Sequence, residues 1–161
     1  MMTEMKTLSA IILDDEPLAC NMLEEYLDSI SWITIEHSIG DPEKAIDIIR
    51  EHKHDILFLD IEMPGINGFE VLARLGDDTP SKLIFSTAYD QFAIRAFEVN
   101  AIDYLLKPYS EERFKSAIEK IKKQEDEKSD LRDRVNALIE QMNANSYPSQ
   151  IYIRRSTTVE P

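Results

Sequence analysis

Charged and hydroxyl side chains stand at the ends of four short apolar runs of the sequence. They are Asp14 and Asp15 after "LSAIIL", Asp60 after "DILFL", Ser86 and Thr87 at the end of "KLIFS", and Lys107 after "AIDYLL". Crowded carboxylates repel one another and tend to keep protons, unless a hard divalent cation that prefers oxygen ligands lies among them. If the fold gathers these ends, the residue types predict a Mg²⁺ site.

Each of these residues has a simpler explanation when it is taken alone. An aspartate after a strand commonly forms a turn or caps a helix, and Asp14 or Asp15 could cap a helix that begins at Pro17. Thr87 could start a surface turn, and Lys107 could be a solvated charge. The functional interpretation is favoured because several independent candidates would otherwise have to coincide at one place.

The rest of the sequence predicts the elements that would position these residues. Runs with the length and composition of strands occur at residues 8–13, 32–38, 55–59, 82–86 and 101–106. Between them, apolar residues recur three and four positions apart, as in Leu23, Leu27 and Ile30, which predicts amphipathic helices. Parallel strands need crossover connections, so this alternation predicts a doubly wound α/β fold with a parallel sheet. In such a fold, ligands bind at the edge where the carboxyl ends of the strands meet.

Capping signals mark where the helices should begin. The expected capping residues are Glu16 and Asp41, each followed by proline, and Asp90 and Ser110 further along the chain. A loop is expected around Asn67, which lies between two nearby glycines.

The composition limits the possible partners. The 161 residues carry a net charge of −13, which opposes unaided binding to nucleic acid or to an anionic membrane. The start of the chain lacks the pattern of a secretion signal, and no apolar stretch approaches the ~20 residues that a bilayer requires, so we expect a cytoplasmic protein without a membrane partner. The single cysteine, Cys20, is expected to pack within a helix. The three histidines form no ligand pattern, and the segment from His52 to His54 is expected at a solvent-exposed helix end.

Three blocks of the chain resemble the receiver domain of bacterial two-component response regulators. They are "LDDEP", "LFLDIEMPGINGFEVL" and "IFSTAYDQFAIRAFEVNAIDYLLKP", within a match from about residue 8 to 123. The resemblance implies a flavodoxin-like, five-stranded parallel sheet in the order 2-1-3-4-5, covered by five helices. It also assigns residues 1–123 to a phosphoacceptor receiver domain.

The resemblance assigns roles to the residues at the strand ends. Asp60 would take a phosphoryl group from a phosphohistidine of a sensor histidine kinase. Mg²⁺ would be held by Asp15, Asp60 and the backbone carbonyl of Glu62, with Asp14 acting through water. Thr87 and Lys107 would contact the phosphoryl oxygens. On this interpretation the chain is a signalling phosphoacceptor and not an enzyme, although it accelerates its own phosphorylation and dephosphorylation.

The resemblance also implies a conformational switch. Thr87 would move toward the phosphoryl group and free space for the ring of Tyr104, although Tyr104 could equally be an ordinary packed strand residue. Glu62 and Tyr89 would flank the path of the attacking water and so set the lifetime of the phosphorylated form. The peptide bond between Lys107 and Pro108 would be cis.

The fourth predicted helix, in "QFAIRAFEVN", carries apolar residues around more than half of its circumference. Either the helix is deeply covered or it binds a protein. Receiver domains commonly dimerise through the fourth helix, fifth strand and fifth helix, so Phe92, Ile94 and Phe97 form the candidate dimer face.

The chain after residue 110 is charged and patterned as one long helix, in which Phe114, Ile118 and Ile121 form the docking face. Residues 124–147 are predicted to be a helical linker. They contain a short apolar seam of Leu131, Val135, Leu138 and Met142, which suits either a paired linker or a frayed, solvated helix.

The end of the chain, "IYIRRSTTVE", alternates like one strand. It resembles the first strand of a LytTR-type DNA-binding domain. Residues 148–161 would then be the start of a truncated output domain. DNA would then be contacted only through that missing domain, in the service of transcription regulation.

Two other classes of protein share features of this sequence. A phosphatase of the haloacid dehalogenase type also uses an aspartyl nucleophile and Mg²⁺, but its Asp-x-Asp signature is missing from "LDDEP". A degenerate receiver that binds partners without phosphorylation would have lost one of the acidic pair, the acceptor, the threonine or the lysine, and all of these are present.

Overall fold

The computed structural model describes residues 6–144. A single parallel sheet has the strand order β2-β1-β3-β4-β5. Its strands are β1 (Leu8–Leu13), β2 (Ile33–Ile39), β3 (Ile56–Leu59), β4 (Lys82–Thr87) and β5 (Asp103–Leu106). The helices that connect and follow them are α1 (Pro17–Leu27), α2 (Pro42–Glu51), α3 (Gly68–Leu75), α4 (Ala93–Glu98) and α5 (Glu111–Ala144). The prediction of a doubly wound α/β fold with this strand order is confirmed.

Both faces of the sheet are covered, because successive strand residues point to opposite sides. On one side, Ile12 and Phe58 lie in a core cluster with Leu23 of α1 and Phe114 of α5. On the other side, a second cluster forms against the remaining helices, with members that include Ile11, Leu57, Ile46, Val71 and Ala96. Burying one such large apolar side chain contributes about 1.5–3 kcal/mol, so the two clusters hold the sheet and its helices together.

Two of the four predicted caps form. The Asp41 carboxylate accepts a hydrogen bond from the Glu43 amide at 3.0 Å, and the Ser110 hydroxyl accepts one from the Arg113 amide at 3.1 Å. Glu16 stands at the N-cap of α1 but makes no side-chain capping bond. Its carboxylate instead accepts a hydrogen bond from Lys107, 91 residues away.

The prediction for the start of α4 was wrong. Phe92, and not Asp90, stands at its N-cap, and α4 has only 6 residues. The Asp90 backbone carbonyl accepts a hydrogen bond from the Ala93 amide at 3.4 Å, so Asp90 belongs to the turn that leads into the helix.

The expectation that His54 lies in solvent was also wrong. Its side chain is fully buried, with Nδ1 3.5 Å from a carboxylate oxygen of Glu36. Burial lowers the pKa of this imidazole. The register of β2 against β1 shifts between Ile35 and His37, so Glu36 is an extra residue in a bulge. The polar segment from residue 52 to 54 carries no apolar pattern that would have indicated this burial.

The described chain divides into two units, the first ending at Ile121 and the second beginning at Lys122. In the first unit, Phe114, Ile118 and Ile121 of α5 are buried, as the pattern predicted. In the second unit, the residues of α5 are mostly exposed. The predicted output-domain start at residues 148–161 lies outside the described residues. Across residues 6–144, no helix combines the length and the apolar character that a bilayer crossing demands.

Candidate functional site

Three carboxylates converge at the carboxyl edge of the sheet. One oxygen from each of Asp14, Asp15 and Asp60 lies within 4.8 Å of the other two. Asp14 and Asp60 are buried, while Asp15 is partly exposed. The prediction that the ends of β1 and β3 share one location is therefore confirmed by the geometry.

Strand pairing accounts for this convergence. β1 and β3 are neighbours in parallel register, with Leu13 opposite Leu59, so the residues that follow them emerge side by side. The Asp60 amide donates to the Leu13 carbonyl at 3.0 Å, and the Asp14 amide donates to the Ile39 carbonyl at 3.0 Å. These bonds extend the ladders by one step and hold the backbone of both aspartates.

Lys107 supplies the positive charge of the site. Its ammonium lies 2.8 Å from Oδ2 of Asp14, 2.7 Å from Oε1 of Glu16 and 3.3 Å from Oδ2 of Asp60. The Lys107 amide donates to the Thr87 carbonyl at 2.7 Å, which anchors this residue to the end of β4. The peptide bond between Lys107 and Pro108 is cis.

Burial and charge shift the ionisation of these groups. Burial raises the pKa of Asp14 to about 6, and the nearby charge of Asp60 acts in the same direction, while the hydrogen bond from Lys107 acts against it. For Lys107, burial by itself would lower the pKa, but its hydrogen bonds to Asp14 and Glu16 and the surrounding negative charge outweigh burial, so the pKa is raised. Lys107 is therefore cationic at neutral pH.

The donor set fits a hard cation. All three converging groups offer carboxylate oxygens, and Mg²⁺ prefers one or two carboxylates together with water and phosphate oxygens. These three acids share the single ammonium of Lys107, so their full ionisation would leave negative charge that a bound cation could compensate. Asp14, Asp15 and Asp60 are thus the residues that could hold Mg²⁺. Glu62 is exposed beside them, and the role of its backbone carbonyl stays a prediction.

The Asp60 carboxylate is oriented from both sides. Its Oδ1 accepts a hydrogen bond from the Ile61 amide at 2.7 Å, whereas Oδ2 faces Lys107. The start of α3 approaches closely, because the Gly68 amide donates to the Ile61 carbonyl at 2.8 Å. A Cβ on Gly68 would lie 2.6 Å from the Asp60 carbonyl oxygen, so this close approach requires glycine.

Thr87 and Tyr104 are linked through the loop after β4. Thr87 is fully buried, and its hydroxyl accepts a hydrogen bond from the Tyr89 amide at 3.4 Å. The Tyr104 hydroxyl donates to the Tyr89 carbonyl, and its half-buried ring packs 6.0 Å from that of Phe85. One loop residue thus contacts both members of the predicted switch. The Tyr89 side chain itself is exposed.

The candidate dimer residues do not all face outward. Ile94 and Phe97 expose 77% and 82% of their surface, and Leu106 of β5 is also exposed. Phe92 is half-buried, with its ring 5.9 Å from that of Phe69. The guanidinium of Arg95 lies over the ring of the same Phe69, with its central carbon 4.1 Å from the ring centroid. The large apolar side chains that α4 exposes are therefore Ile94 and Phe97.

Three residues of the site were missed from the sequence. Glu16 contacts Lys107, whereas its place in the sequence indicates only a helix cap. Gly68 makes a close backbone approach, whereas the sequence around it indicates only a loop. Tyr109 is buried beneath the site, where its hydroxyl lies 3.0 Å from that of Ser86. The available signal was the tyrosine that directly follows Lys107-Pro108, together with Ser86 near the end of a buried strand.

This sheet order, with clustered aspartates, a buried threonine and a lysine at the carboxyl edge, defines a class of α/β signalling domains. The family model "Response regulator receiver domain" matches residues 10–119. The chain belongs to this family, whose members act in two-component signalling.

Known relatives agree with this assignment. An uncharacterized response regulatory protein of Vibrio vulnificus is 44% identical over 119 residues, covering 72% of this chain and 48% of that protein. The sensory transduction protein LytT of Bacillus anthracis is 37% identical over 129 residues, covering 80% of this chain and 52% of LytT. The transcriptional regulatory protein LytR of Staphylococcus aureus is 36% identical over 141 residues, covering 86% and 55%. The chain spans about half the length of these curated relatives.

The fold also matches solved structures. The response regulatory domain of mrkE from Klebsiella pneumoniae superposes with a TM-score of 0.67 at 31% identity, covering 73% of this chain and 97% of that domain. A receiver domain from Vibrio parahaemolyticus superposes with a TM-score of 0.66 at 23% identity, covering 80% and 97%, and supports the fold alone. The similarity of the sequence to LytT and LytR confirms the resemblance to response regulators of this type.

Proposed function

We propose that Asp60 is the phosphoacceptor of this receiver and that it takes a phosphoryl group from the phosphohistidine of a sensor histidine kinase. The observation that carries this proposal is the position of its buried carboxylate, between two other aspartates and the ammonium of Lys107. Its Oδ1 accepts a hydrogen bond from the Ile61 amide and its Oδ2 lies beside Lys107, so the orientation of this carboxylate is fixed.

The chemistry requires positioning more than it requires a strong base. A carboxylate oxygen of Asp60 forms a bond to phosphorus while the bond from phosphorus to the histidine nitrogen breaks, and the imidazole leaves with that electron pair. Asp15, Asp60 and the Glu62 carbonyl would hold Mg²⁺, with Asp14 acting through water, and a bound ion would supply charge neutralisation for the phosphoryl oxygens. Lys107 would pair with one of these oxygens, and the Thr87 hydroxyl would donate to another.

The same contacts suggest how the signal leaves the site. Movement of the Thr87 hydroxyl toward the phosphoryl group would weaken the hydrogen bond that it accepts from the Tyr89 amide. Movement of that loop would release the Tyr104 hydroxyl from the Tyr89 carbonyl and let the ring turn inward. Two packings that differ by a few kcal/mol are enough for one covalent event to select between them.

We further propose that the switch controls self-association and a C-terminal output. Tyr104 lies on β5, the strand that follows α4 with its exposed Ile94 and Phe97, and rotation of its ring would change the surface that two copies share. The name of the relative LytR supports transcription regulation as the output. With a net charge of −13, this chain is a poor DNA ligand by itself, and a LytTR-type domain following it would make that contact.

The proposal is tested by incubating the chain with Mg²⁺ and a small acyl-phosphate donor, followed by intact-mass measurement. We expect one phosphoryl addition to wild type and to Asp47→Asn, a matched control at an exposed aspartate on α2. We expect none to Asp60→Asn, and none to wild type with Mg²⁺ removed by chelation. Modification of Asp60→Asn to the wild-type extent would overturn the assignment. A wild type that takes up no phosphoryl group would instead support a phosphorylation-independent interaction domain.

A further inference from the structure

The three carboxylates around the Lys107 ammonium differ in their exposure to solvent. They belong to Glu16 at 2.7 Å, Asp14 at 2.8 Å and Asp60 at 3.3 Å. The side chain of Glu16 is 62% exposed, whereas those of Asp14 and Asp60 are 1% and 6% exposed. An ammonium has three N–H donors, so these three carboxylates are enough to occupy it before any phosphoryl group arrives.

A phosphoryl oxygen on Asp60 would need one of these donors, so one present partner of Lys107 must yield. Release of the buried Asp14 carboxylate would leave an unpaired charge out of water, which is costly. Asp60 would carry the phosphoryl group and could not turn away. The exposed carboxylate of Glu16 can turn into solvent, where water replaces the ammonium. Glu16 is therefore the partner that Lys107 can give up.

Local hydrogen bonds hold the backbone of Glu16 and do not involve its carboxylate. The Glu16 amide donates to Oδ1 of Asp14 at 2.9 Å, and its carbonyl accepts from the Cys20 amide at 3.1 Å. Glu16 stands at the N-cap of α1, but its side chain makes no capping bond. The carboxylate can thus leave Lys107 without the loss of a backbone hydrogen bond.

We infer that Glu16 is a positioning residue that holds Lys107 in the unphosphorylated protein and competes with the phosphoryl group for its ammonium. The inference rests on the proposed function of Asp60. The contact between Glu16 and Lys107 is made in the starting state and is lost when Lys107 binds a phosphoryl oxygen, in the transition state as well as in the product. It therefore slows phosphoryl uptake. Because the contact has no counterpart in the phosphorylated protein, the rate of phosphoryl loss does not depend on it.

Three substitutions separate the contact from the charge and from the general structure. Glu16→Gln keeps the length of the side chain and removes its charge. Glu16→Asp keeps the charge but is one methylene group shorter, and an aspartate at an N-cap favours the helix amides instead of Lys107. Glu24→Gln is the matched control. Glu24 of α1 lines a cavity together with Asp15, so this variant removes a nearby charge and leaves all three carboxylates around Lys107 in place.

The 161-residue chain and its variants are incubated with saturating Mg²⁺ and acetyl phosphate, and phosphoryl uptake is followed by intact mass. An Asp60 oxygen bonds to phosphorus as the bond from phosphorus to the acetate oxygen breaks. Glu16→Gln and Glu16→Asp should each take up the phosphoryl group roughly two- to fivefold faster than wild type, the size expected for an exposed ion pair. Glu24→Gln should match wild type. After the donor is removed, all four proteins should lose the phosphoryl group at the same rate.

The outcomes distinguish this inference from the proposed function. If wild type is phosphorylated on Asp60 but either Glu16 variant is no faster, the inference is refuted and the function of Asp60 stands. Equal acceleration by Glu24→Gln would assign the effect to net charge and would also refute it. A parallel change in the rate of phosphoryl loss would mean a loosened site and not competition for Lys107. A wild type that takes up no phosphoryl group would refute both the inference and the proposed function.

Discussion

The ammonium of Lys107 lies 3.3 Å from Oδ2 of Asp60, although the two residues are 47 positions apart in the chain. Lys107 also bonds to Asp14, so one cation compensates two buried carboxylates before any phosphoryl group arrives. Replacement of Lys107 should therefore affect both the stability of the protein and its rate of phosphorylation.

Replacement of Lys107 by methionine leaves Asp14 and Asp60 without their buried counter-charge. We expect the free energy of unfolding to fall by about 1–3 kcal/mol and the rate of phosphoryl uptake to drop. The pKa of Asp14 should rise further, because its bond to Lys107 now holds that pKa down. Denaturant titration and intact-mass time courses measure these changes. Lys115→Met, at an exposed ion pair of α5, is the control and should change neither quantity.

The stability of the metal-free protein should depend on pH through Asp14. Burial raises its pKa from 3.8 to about 6, so between these values the folded state holds a proton that the unfolded state has lost. Its contribution to the free energy of unfolding is thus greatest below about pH 4 and is lost as the pH rises through about 6.

Asp14→Asn cannot titrate and serves as the reference for this effect. The difference in unfolding free energy between wild type and Asp14→Asn should change by roughly 1–3 kcal/mol between about pH 4 and pH 7, with wild type losing stability toward neutral pH. Groups that do not interact with residue 14 titrate alike in both proteins, so their effects cancel in the difference. A difference that is constant across this range would contradict a raised pKa.

Gly68→Ala should damage the site through the backbone. The added Cβ would lie 2.6 Å from the Asp60 carbonyl oxygen, so α3 or the Asp60 loop must move. We expect a loss of about 1–3 kcal/mol in unfolding free energy together with slower phosphorylation. Gly40→Ala is the matched control beside the same site, because its Cβ would meet the Asp14 carbonyl oxygen at an ordinary 3.6 Å. Equal effects of the two substitutions would argue against the close-approach explanation.

Substitutions on the exposed side of α4 should weaken self-association without unfolding the domain. Phe97→Ser removes an apolar side chain that is 82% exposed, so the melting temperature should hardly change. Leu18→Ser on α1 is the control, because Leu18 is equally exposed at 82%. Light scattering with and without a phosphoryl mimic should show weaker association for Phe97→Ser alone. Identical behaviour of both variants would place the interface elsewhere.

The phosphoryl lifetime should respond to Glu62 and Tyr89. Both side chains are exposed, so their substitution should leave the melting temperature nearly unchanged. Glu62→Gln removes a charge, and Tyr89→Ala removes a ring from the expected path of water, while the Tyr89 carbonyl that accepts from Tyr104 remains. The rate of phosphoryl loss, followed by intact mass, should change in each variant. Unaltered half-lives in both would refute this role.

The fold and most of the site followed from the sequence. Apolar runs separated by amphipathic segments identify a parallel sheet, and parallel strands deliver the residues after them to one edge. Asp14, Asp15, Asp60 and Lys107 could thus be placed together from their positions at strand ends alone. The strand order came from the resemblance to response regulators, since periodicity does not say which strands are neighbours.

Only the tertiary structure decided which partners these residues choose. Glu16 has the type and position of a helix cap, but Lys107, 91 residues away, draws its carboxylate into the site. Phe92 was grouped with Ile94 and Phe97, but contact with Phe69 of α3 turns it inward. His54, in a polar segment, is buried beside a bulge of β2. Local pattern reports what a residue can do within its own element, whereas these outcomes depend on contacts between elements that are distant in the chain.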